Sequence, residues 1–560
     1  MKKFINDPAD VERQVVDGYV KAYPSLIAKA ADDIVVRAHA KRDKVALVSG
    51  GGMGHEPAHL GFVGSGMLDA AVGGAVFTSP AVDRVAAGIG AVAPGNKGVL
   101  LVIKNYTGDA VNFKMAEQAA KEDGFNVDHV VVDDDVAVQD STFTVGRRGV
   151  AGTVFVHKCA GAAAETGADL PEVKRVAEKV IANVRTMGVA IEPCTVPAAG
   201  KPGFELADDE MEMGVGIHGE PGVRRAAMEP VDAMVDEMLE KILGDIDYSG
   251  HEVAVMVNSS GATPPYELAI VNNRGIPVWR TYMGPYMTSL EMRGFSISIL
   301  RLDDELKELL AAPAQAPAWV EGSVAREAAD AAPAAAKVLE QKVEVADGGV
   351  ADEATGLACR VLSEVADVIS AHKDELTELD MPIGDSDHGI NMARGFEAVR
   401  EQLPVLEKGG VPAALRTAGM TVVSKVGGSS GPLYGTILRK LGITAKKMGG
   451  LTLDSFTVGL DAGFKGIQEL AGAKEGDKTM LDAMAPAIRS LERSVEMHQG
   501  VAEALDAAAA AAAEGAEATI PLIAHKGRAS YLGERSVGHK DPGAASFAYC
   551  MAAIAQAYKN

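Results

Sequence analysis

Apolar β-branched runs alternate with helical stretches through the first 320 residues of the chain. These runs predict the strands Lys44–Val48, Gly98–Ile103, Val127–Val132, Gly188–Ile191, Glu252–Val257 and Ser296–Leu302. The segments between them predict helices over Ala110–Lys121 and Leu170–Thr186. Near-continuous apolar strands that alternate with helices are typical of sheets covered on both faces. The pattern therefore predicts an α/β domain over residues 1–325.

A helical pattern replaces the strands from residue 348 to residue 560. Apolar residues recur there at helical spacing, as at Leu357, Val361, Val365 and Val368. Seven consecutive alanines at Ala507–Ala513 are a strong helix signal. We expect this region to be an all-helical domain, a bundle or barrel of about eight antiparallel helices.

Two Ala/Pro tracts separate these regions, over residues 311–318 and 331–336. Their composition is typical of a semi-rigid connection. The composition changes from about residue 311 to residue 347, and we expect the interdomain linker over residues 326–347.

Composition excludes several classes of protein. The 560 residues carry a formal net charge of -23, which disfavours binding to nucleic acids and anionic membranes. No uncharged apolar stretch reaches the roughly 18 residues of a membrane span, and the basic start of the chain lacks a signal-peptide apolar run. Four scattered cysteines without a Cys-x-x-Cys pair fit a reducing compartment, so we expect a cytoplasmic protein.

Two predicted strands of the α/β region end in candidate site loops. Gly50–Pro57 follows the first strand and places His55 beside a run of glycines. Asn105–Asp109 follows the second strand, where Lys104 and Asp109 flank the loop. Ligands of open α/β sheets lie beyond the carboxyl ends of the strands. These two loops are therefore candidates for a ligand site.

A second histidine, His218, lies within the glycine-rich segment Gly214–Gly222. The segment matches Gly-x-Gly-x-x-Gly, but Glu-Pro-Gly follows His218-Gly219 where a dinucleotide fingerprint needs a helix. A lone histidine is more often structural than catalytic. The glycines on both sides, however, give this one little local packing and leave room for a ligand.

Three carboxylates lie close together at Asp380, Asp385 and Asp387. Pro382 and Gly384 favour a loop, in which the carboxylates can converge. Converging carboxylates without a neighbouring Lys or Arg need a hard cation, and Mg²⁺ fits. An EF-hand is excluded because the twelfth position is not Glu. The alternative is a solvated acidic turn that caps the next helix.

The loop Val426–Pro432 is rich in glycine and serine and opens a helix. Backbone N–H groups at a helix start bind phosphate well, so this loop is a candidate nucleotide site. No Lys follows it as in a P-loop. The alternative is a simple helix–helix connection.

These motifs together resemble the dihydroxyacetone kinase family. Its ketose-binding domain is matched by Gly50–Pro57, Lys104–Asp109, Gly146–Ala151, Cys194–Pro197 and Gly214–Gly222. Its nucleotide-binding domain is matched by Ile383–Gly389, Gly427–Gly435, Gly476–Asp482 and Asp541–Ala544. The resemblance implies two α/β subdomains followed by an eight-helix barrel with metal at one end. Because both domains share one chain, it also implies an ATP-using member rather than one recharged by a phosphoprotein relay.

The resemblance also implies roles for residues of the ketose site. His218 would hold the ketose carbonyl as a hemiaminal, Asp109 would take the hydroxyl proton and His55 would assist. The substrate would be positioned by Gly51, Gly52, Met53, Gly54, His55, Lys104, Asp109 and His218.

For the second domain the resemblance implies that Asp380, Asp385 and Asp387 hold two Mg²⁺ ions. ATP would contact His388, Gly389, Ile390, Asn391, Ser429, Ser430, Gly472, Met480, Arg528, Asp541, Pro542 and Gly543. The implied assembly is a homodimer.

Two departures from the family pattern leave the substrate open. Met53 stands where the family usually has Ser, and residues 258–264 differ from the usual Asn-Asn-Leu-Gly. The expected activity is phosphorylation of dihydroxyacetone. The alternatives are erythrulose or a similar tetrulose, glyceraldehyde, a lyase reaction that converts FAD to cyclic FMN, or a non-enzymatic ketose sensor.

Overall fold

The computed structural model describes residues 2–138, 146–220, 222–272, 278–322 and 353–559. The chain divides into two compact units, Met1–Leu339 and Glu340–Asn560. The linker predicted at 326–347 and the domain boundaries predicted at 325 and 348 lie outside the described residues.

The first unit begins with a six-stranded sheet. Its strands are β1 (Ile27–Ala31), β2 (Ile34–Arg37), β3 (Val45–Met53), β4 (Ala70–Val76), β5 (Gly98–Lys104) and β6 (Val127–Val132). They lie in the order β1-β2-β4-β3-β5-β6, and β4, β3, β5 and β6 are parallel. Parallel neighbours bring the carboxyl ends of β3 and β5 to the same edge of the sheet.

Helices cover both faces of this sheet, as the apolar pattern predicts. They are α1 (Val11–Ala22), α2 (Val82–Val92), α3 (Thr107–Glu122), α4 (Thr153–Glu165) and α5 (Leu170–Asn183). Leu100 and Val102 of β5 pack with α4 and α5, whereas Val99 and Leu101 pack with α2 and α3. The alternation of side chains along a strand therefore fills two separate apolar layers.

A second six-stranded sheet follows in the same unit. Its strands are β7 (Val184–Glu192), β8 (Glu210–Met213), β9 (Arg224–Ala227), β10 (Val253–Ser259), β11 (Val278–Gly284) and β12 (Arg293–Arg301). They lie in the order β11-β10-β12-β7-β8-β9, and only the β10–β11 pair is parallel. The accompanying helices are α6 (Val231–Asp245), α7 (Pro265–Val271) and α8 (Asp304–Ala311).

Two sequence predictions in this unit are wrong in detail. The helix predicted to reach Thr186 ends at Asn183, because β7 begins at Val184. The first Ala/Pro tract is not a linker: it forms β13 (Ala314–Ala316), which pairs with β14 (Trp319–Glu321). Alternate side chains of this hairpin are buried in the main core of the unit, so the tract belongs to the α/β fold.

The second unit is helical throughout residues 353–559. Its helices are α9 (Glu353–Ala371), α10 (Lys373–Asp380), α11 (His388–Leu406), α12 (Gly410–Lys425), α13 (Ser430–Met448), α14 (Leu453–Ala471), α15 (Leu481–Glu496), α16 (Val501–Ala518) and α17 (Pro542–Lys559). A 3-10 segment covers Arg528–Ser536. Eight of the helices have 16 to 19 residues, and α10 has eight.

The long helices follow a cyclic order. Each contacts the next along the chain, and α17 contacts α9, so the contacts close into a ring. The ring surrounds an apolar cavity of about 220 Å³, lined by Phe396, Ile437, Leu460, Leu505 and Met551 among others. Within the described ranges, no helix has the length and apolarity needed to cross a bilayer.

Closure of this ring depends on the apolar face of α17. Met551 is fully buried in the core of the helical unit, and Gln556 on the same helix is exposed. We expect Met551→Ala to lower the free energy of unfolding of the helical unit by about 2 to 5 kcal/mol, because the substitution leaves a cavity. Gln556→Ala should change it by less than about 0.5 kcal/mol. Urea unfolding of both variants tests this, and equal effects would contradict it.

Candidate ketose and nucleotide sites

The glycine run of the first candidate site lies within β3 and is not the loop that the sequence predicts. A side chain at Gly50 would overlap the carbonyl of Val72 on β4, and one at Gly52 would overlap the backbone of Phe77. The glycines therefore allow the neighbouring strand and the turn after it to approach closely.

Gly51 provides the space for a buried ion pair. Its φ is +154°, and a side chain there would overlap the ammonium group of Lys104. Lys104 Nζ donates to Gly50 O at 2.9 Å and to Asp109 Oδ2 at 3.0 Å, and both charged side chains are buried. Asp109 lies in the first turn of α3, which begins at Thr107, so the predicted loop is shorter than expected. The Oδ1 atom of Asp109 is buried and has no hydrogen-bond partner among the described residues.

Four aromatic rings meet at the two predicted histidines. The ring of His55 lies 4.8 Å from that of His218 and stacks on Phe77 at 5.0 Å. Tyr106 meets His218 edge-on at 4.4 Å. His55 Nδ1 is 2.8 Å from the carbonyl of Thr288. Since a carbonyl only accepts, Nδ1 carries the hydrogen and Nε2 of His55 is left as an acceptor.

The backbone before His218 folds around a buried ion network. The N–H of His218 donates to Glu220 Oε2 at 2.9 Å, and Glu220 also lies 3.4 Å from the guanidinium of Arg148. Arg148 in turn pairs with Asp135 and donates to Gly214 O. A side chain at Gly216 would overlap Glu220. These contacts explain the glycine at position 216 and hold the backbone of His218 in place.

The two departures from the family pattern, at Met53 and at residues 258–264, lie in different surroundings. Met53 is buried, and its methyl group lies against Gly73 of β4. Asn258 accepts the N–H groups of Tyr286 and Met287, and so shapes the segment whose Thr288 carbonyl binds His55. Asn258 agrees with the family pattern, and Ser260, which departs from it, accepts the N–H of Ser289 in the same segment.

Two buried histidines of this site are absent from the sequence prediction. Lys104 Nζ lies 3.2 Å from Nε2 of His59, and Nδ1 of His59 lies 3.0 Å from Nε2 of His157. Burial and the Lys104 charge lower the pKa of His59 well below its usual value, and they lower the pKa of His157 to about 3. No motif marks His157 in its helix, so only the fold could show this contact.

In the helical unit the three predicted aspartates converge. The carboxylate oxygens of Asp380, Asp385 and Asp387 lie within 4.8 Å of one another. Asp380 is the last residue of α10 rather than part of a loop, and Asp387 immediately precedes α11. A side chain at Gly384 would overlap Asp380, so the chain turns tightly here.

The electrostatics of this cluster fit a cation. Burial, and next the Asp387 charge, raise the pKa of Asp380. Its Oδ2 accepts the N–H groups of Asp387 and His388, and Arg528 pairs with Asp385 at 2.8 Å. Carboxylate oxygens are ligands of Mg²⁺ in proteins, so these three side chains fit that cation.

A second cluster of possible metal ligands lies in the first unit, but its carboxylates pair with lysines. Glu117, Asp128 and His129 also lie within 4.8 Å of one another in the first unit. Lys121 pairs with Glu117 and Lys174 pairs with Asp128, so lysines already neutralise these carboxylates. This group serves as a comparison for the aspartates of the helical unit.

His388 joins the aspartates to the predicted phosphate loop. Its Nδ1 lies 3.3 Å from Ser430 Oγ, and its Nε2 lies 2.9 Å from Ser546 Oγ. Helix α13 starts at Ser430, with Ser429 immediately before it, so His388 lies against the first turn of this helix. Ser546 also bonds the buried Tyr434 hydroxyl, a contact that the sequence gave no reason to expect.

The other predicted nucleotide residues lie at three places in the helical unit. Ile390 and Asn391 continue the first turn of α11, where Gly389 packs against α10. Asp541, Pro542 and Gly543 start α17, and a side chain at Gly543 would contact Met480. Gly472 ends α14 in a left-handed conformation and lies nearest to Lys526.

Lys478 is a buried residue of this region to which the sequence analysis gave no role. Its ammonium lies within 3.4 Å of four carbonyl oxygens, those of Thr519, Ile520, Leu522 and His539. It thereby ties the end of α16 to the segment that leads into Asp541.

Comparison with known proteins agrees with this architecture. Residues 17–318 match the Dak1 domain, and residues 382–556 match the DAK2 domain. The chain is 37% identical to the triokinase/FMN cyclase of Rattus norvegicus, over 99% of this chain and 98% of the relative. It is also 37% identical to the D-erythrulose kinase of Mycolicibacterium smegmatis, with the same coverage. The crystal structure of the dihydroxyacetone kinase from C. freundii with AMP-PNP and Mg²⁺ is 31% identical, with a TM-score of 0.54 and 99% of each chain covered.

An α/β unit with a buried lysine–histidine site, followed by a helical unit with an aspartate cluster, is thus the architecture of a small-molecule kinase. The chain belongs to the dihydroxyacetone kinase family.

Asp541 gives the helical unit a pH dependence that can be measured. Burial, and then the charges of Asp482 and Asp380, raise its pKa to about 7. The usual pKa of this carboxyl is 3.8, and in the folded protein it is about 7. Between these pH values the folded protein keeps a proton that the unfolded chain has lost, so the free energy of unfolding falls as the pH rises. The stabilisation is complete below pH 3.8 and is lost as the pH rises through 7. We expect this group to lower the free energy of unfolding by up to about 4 kcal/mol between pH 4 and pH 7.

Urea unfolding in EDTA at several pH values tests this expectation. Asp541→Asn should flatten the dependence, whereas Asp454→Asn, at an exposed position in the first turn of α14, should keep it. A wild-type slope in Asp541→Asn would contradict the assignment.

Proposed function

We propose that the chain is an ATP-dependent kinase that phosphorylates a small hydroxyketone, with dihydroxyacetone as the first candidate. The observation that carries this proposal is the buried Asp109, whose Oδ2 pairs with Lys104 and whose Oδ1 is open. A substrate hydroxyl can donate to that open oxygen. Family membership supports the assignment of kinase chemistry.

In the proposed first step, His218 captures the ketose. A ring nitrogen of His218 forms a bond to the carbonyl carbon, and the imidazole proton passes to the carbonyl oxygen, with His55 assisting. The product is a hemiaminal. A triose has only six heavy atoms, so its non-covalent affinity is limited to about 1.5 kcal/mol per atom. A covalent bond offsets this limit and rejects glycerol, which has no carbonyl.

In the second step, the terminal hydroxyl of the bound ketose attacks the γ-phosphorus of ATP. Its proton passes to Asp109, the new P–O bond forms, the bond to the β-phosphate oxygen breaks and ADP leaves. Lys104 holds Asp109 in place throughout. Such a transfer needs positioning and charge neutralisation more than covalent chemistry.

The helical unit would supply the nucleotide. Asp380, Asp385 and Asp387 are the residues that would hold two Mg²⁺ ions, which neutralise the triphosphate when bound. His388, Ser430 and the N-terminus of α13 would contact phosphate oxygens. The remaining predicted residues, from Gly472 and Met480 to Asp541–Gly543, would enclose the nucleoside. The AMP-PNP and Mg²⁺ named for the C. freundii structure support this assignment.

The identity of the ketose is the open part of the proposal. One relative is named a triokinase and another a D-erythrulose kinase, so both triose and tetrulose are candidates. An assay of ADP release with dihydroxyacetone, both erythrulose enantiomers and glyceraldehyde would rank them. No ADP release with any of these compounds would favour a ketose sensor instead.

A lyase reaction is a second candidate, because one relative is also named an FMN cyclase. Replacing Mg²⁺ by Mn²⁺ and following FAD cleavage to cyclic FMN would detect it at the same nucleotide site.

We place the protein in the cytoplasm, where its four free and buried cysteines would stay reduced. A homodimer remains the proposed assembly. Phosphoryl transfer requires the ketose and nucleotide sites to meet, either within one chain or between two.

The covalent tether can be tested with His218→Ala. We expect ketose kcat/KM to fall by at least about 100-fold, because the substrate loses both its bond and its placement. Nucleotide affinity should not change. The exposed His39 of the same unit gives a control, and His39→Ala should match the wild type. Full activity of His218→Ala in the ADP-release assay would reject the hemiaminal.

The metal cluster can be tested with Asp385→Asn. We expect the affinity for Mn²⁺, followed by electron paramagnetic resonance, to fall by at least about tenfold, because one charged oxygen ligand is lost. Asp128→Asn removes a carboxylate from the lysine-neutralised group of the first unit and should leave that affinity unchanged. Equal effects of the two substitutions would reject the assignment.

A further inference from the structure

Two buried histidines with no part in the proposed chemistry lie behind the lysine of the ketose site. His59 precedes the short turn Leu60–Phe62 that follows β3, and His157 lies within α4. Both side chains are buried, and their rings meet edge-on with centroids 5.2 Å apart. Residues from two separate parts of the chain therefore form one buried polar contact.

Lys104 determines which ring nitrogen of His59 carries hydrogen. Its Nζ has three partners, namely Gly50 O at 2.9 Å, Asp109 Oδ2 at 3.0 Å and His59 Nε2 at 3.2 Å. An ammonium has three N–H groups and no acceptor, so Nε2 of His59 must accept the third. Neutral His59 then carries its hydrogen on Nδ1, which donates to Nε2 of His157 at 3.0 Å.

The reverse arrangement is disfavoured on two grounds. A hydrogen on Nε2 of His59 would point at the ammonium, placing two donors against each other in a buried site. Protonation of either ring would add a second cation beside Lys104, and burial disfavours it further. The pair is therefore neutral and has one orientation.

We propose that the His59–His157 pair is a positioning device for this kinase site. It accepts the third N–H of Lys104, and so holds both the ammonium and the Asp109 carboxylate where the substrate hydroxyl arrives. A lysine side chain is long and flexible, and a third fixed acceptor removes its remaining freedom. His59 and His157 act through Lys104 and are positioning residues. The positioning role of the two histidines rests on the proposed function. The assignment of the hydrogen of His59 to Nδ1 does not.

The tautomer can be measured without any turnover. The full-length chain is labelled with ¹⁵N-histidine, and the signals of His59 and His157 are assigned from those lost in His59→Gln and His157→Gln. We expect both rings to be neutral at pH 7 and His59 to carry hydrogen on Nδ1. A cationic His59, or hydrogen on its Nε2, would overturn the inference even if the chain is a ketose kinase.

The positioning role is tested by a pair of substitutions at His157. Phe keeps a ring but removes the acceptor for His59, whereas Gln can place an amide oxygen near the position of Nε2. We expect His157→Phe to lower kcat with ketose by about tenfold, the effect of one lost buried hydrogen bond, and His157→Gln to restore most of it. The KM for ATP should be unchanged in both variants.

Thermal unfolding of both variants provides the control for a merely structural role. Equal losses of kcat in the Phe and Gln variants, or wild-type kcat in His157→Phe, would reject the positioning role. If the wild-type chain phosphorylates no ketose, the proposed function fails, and the NMR result still decides the tautomer of His59.

Discussion

The ammonium group of Lys104 is the charge around which the first unit's site is arranged. Burying a cation is costly unless each of its donors is satisfied. Here one carboxylate, one carbonyl and one imidazole satisfy them, and each comes from a different part of the fold. The glycine at position 51 follows from this constraint, since any side chain there would overlap the ammonium. One buried charge thus determines which residue β3 can carry at this position.

The helical unit has the opposite charge at its site: three carboxylates lie close together there. These carboxylates meet where α10 ends and α11 begins, and the guanidinium of Arg528 pairs with one of them, Asp385. Helices α11 and α13 begin at His388 and Ser430, and Nδ1 of His388 lies 3.3 Å from Oγ of Ser430. The first unit, by contrast, buries a cation whose donors are satisfied by its neighbours.

The sequence could predict features that depend on residues close together in the chain, but not those that depend on residues far apart in it. The strand Val127–Val132 was predicted with its observed bounds because its apolar run is bounded by polar residues. The glycines at 50–52 were read as a loop because glycine usually marks turns, whereas here the close approach of β4 requires them. The three aspartates were predicted to converge because they are neighbours in sequence.

The contact between His59 and His157 joins residues 98 positions apart, and no local pattern carries it. The Ala/Pro tract near residue 314 was wrongly predicted to be a linker, also because its contacts are with distant residues. Its composition resembles a linker, but burial of alternate alanines against the main core outweighs composition.

The closed ring of helices has a topological consequence. Leu357, near the start of α9, and Ile554 and Tyr558, near the end of α17, line the same apolar cavity. The two ends of the helical unit are thus neighbours in space, while the turn at Gly449–Gly450 between α13 and α14 is a natural place to open the chain. A circularly permuted version, with the old ends joined by a short peptide and new ends at that turn, would keep every helix–helix contact of the ring. The order of helices along the gene is therefore separable from the order in which they pack.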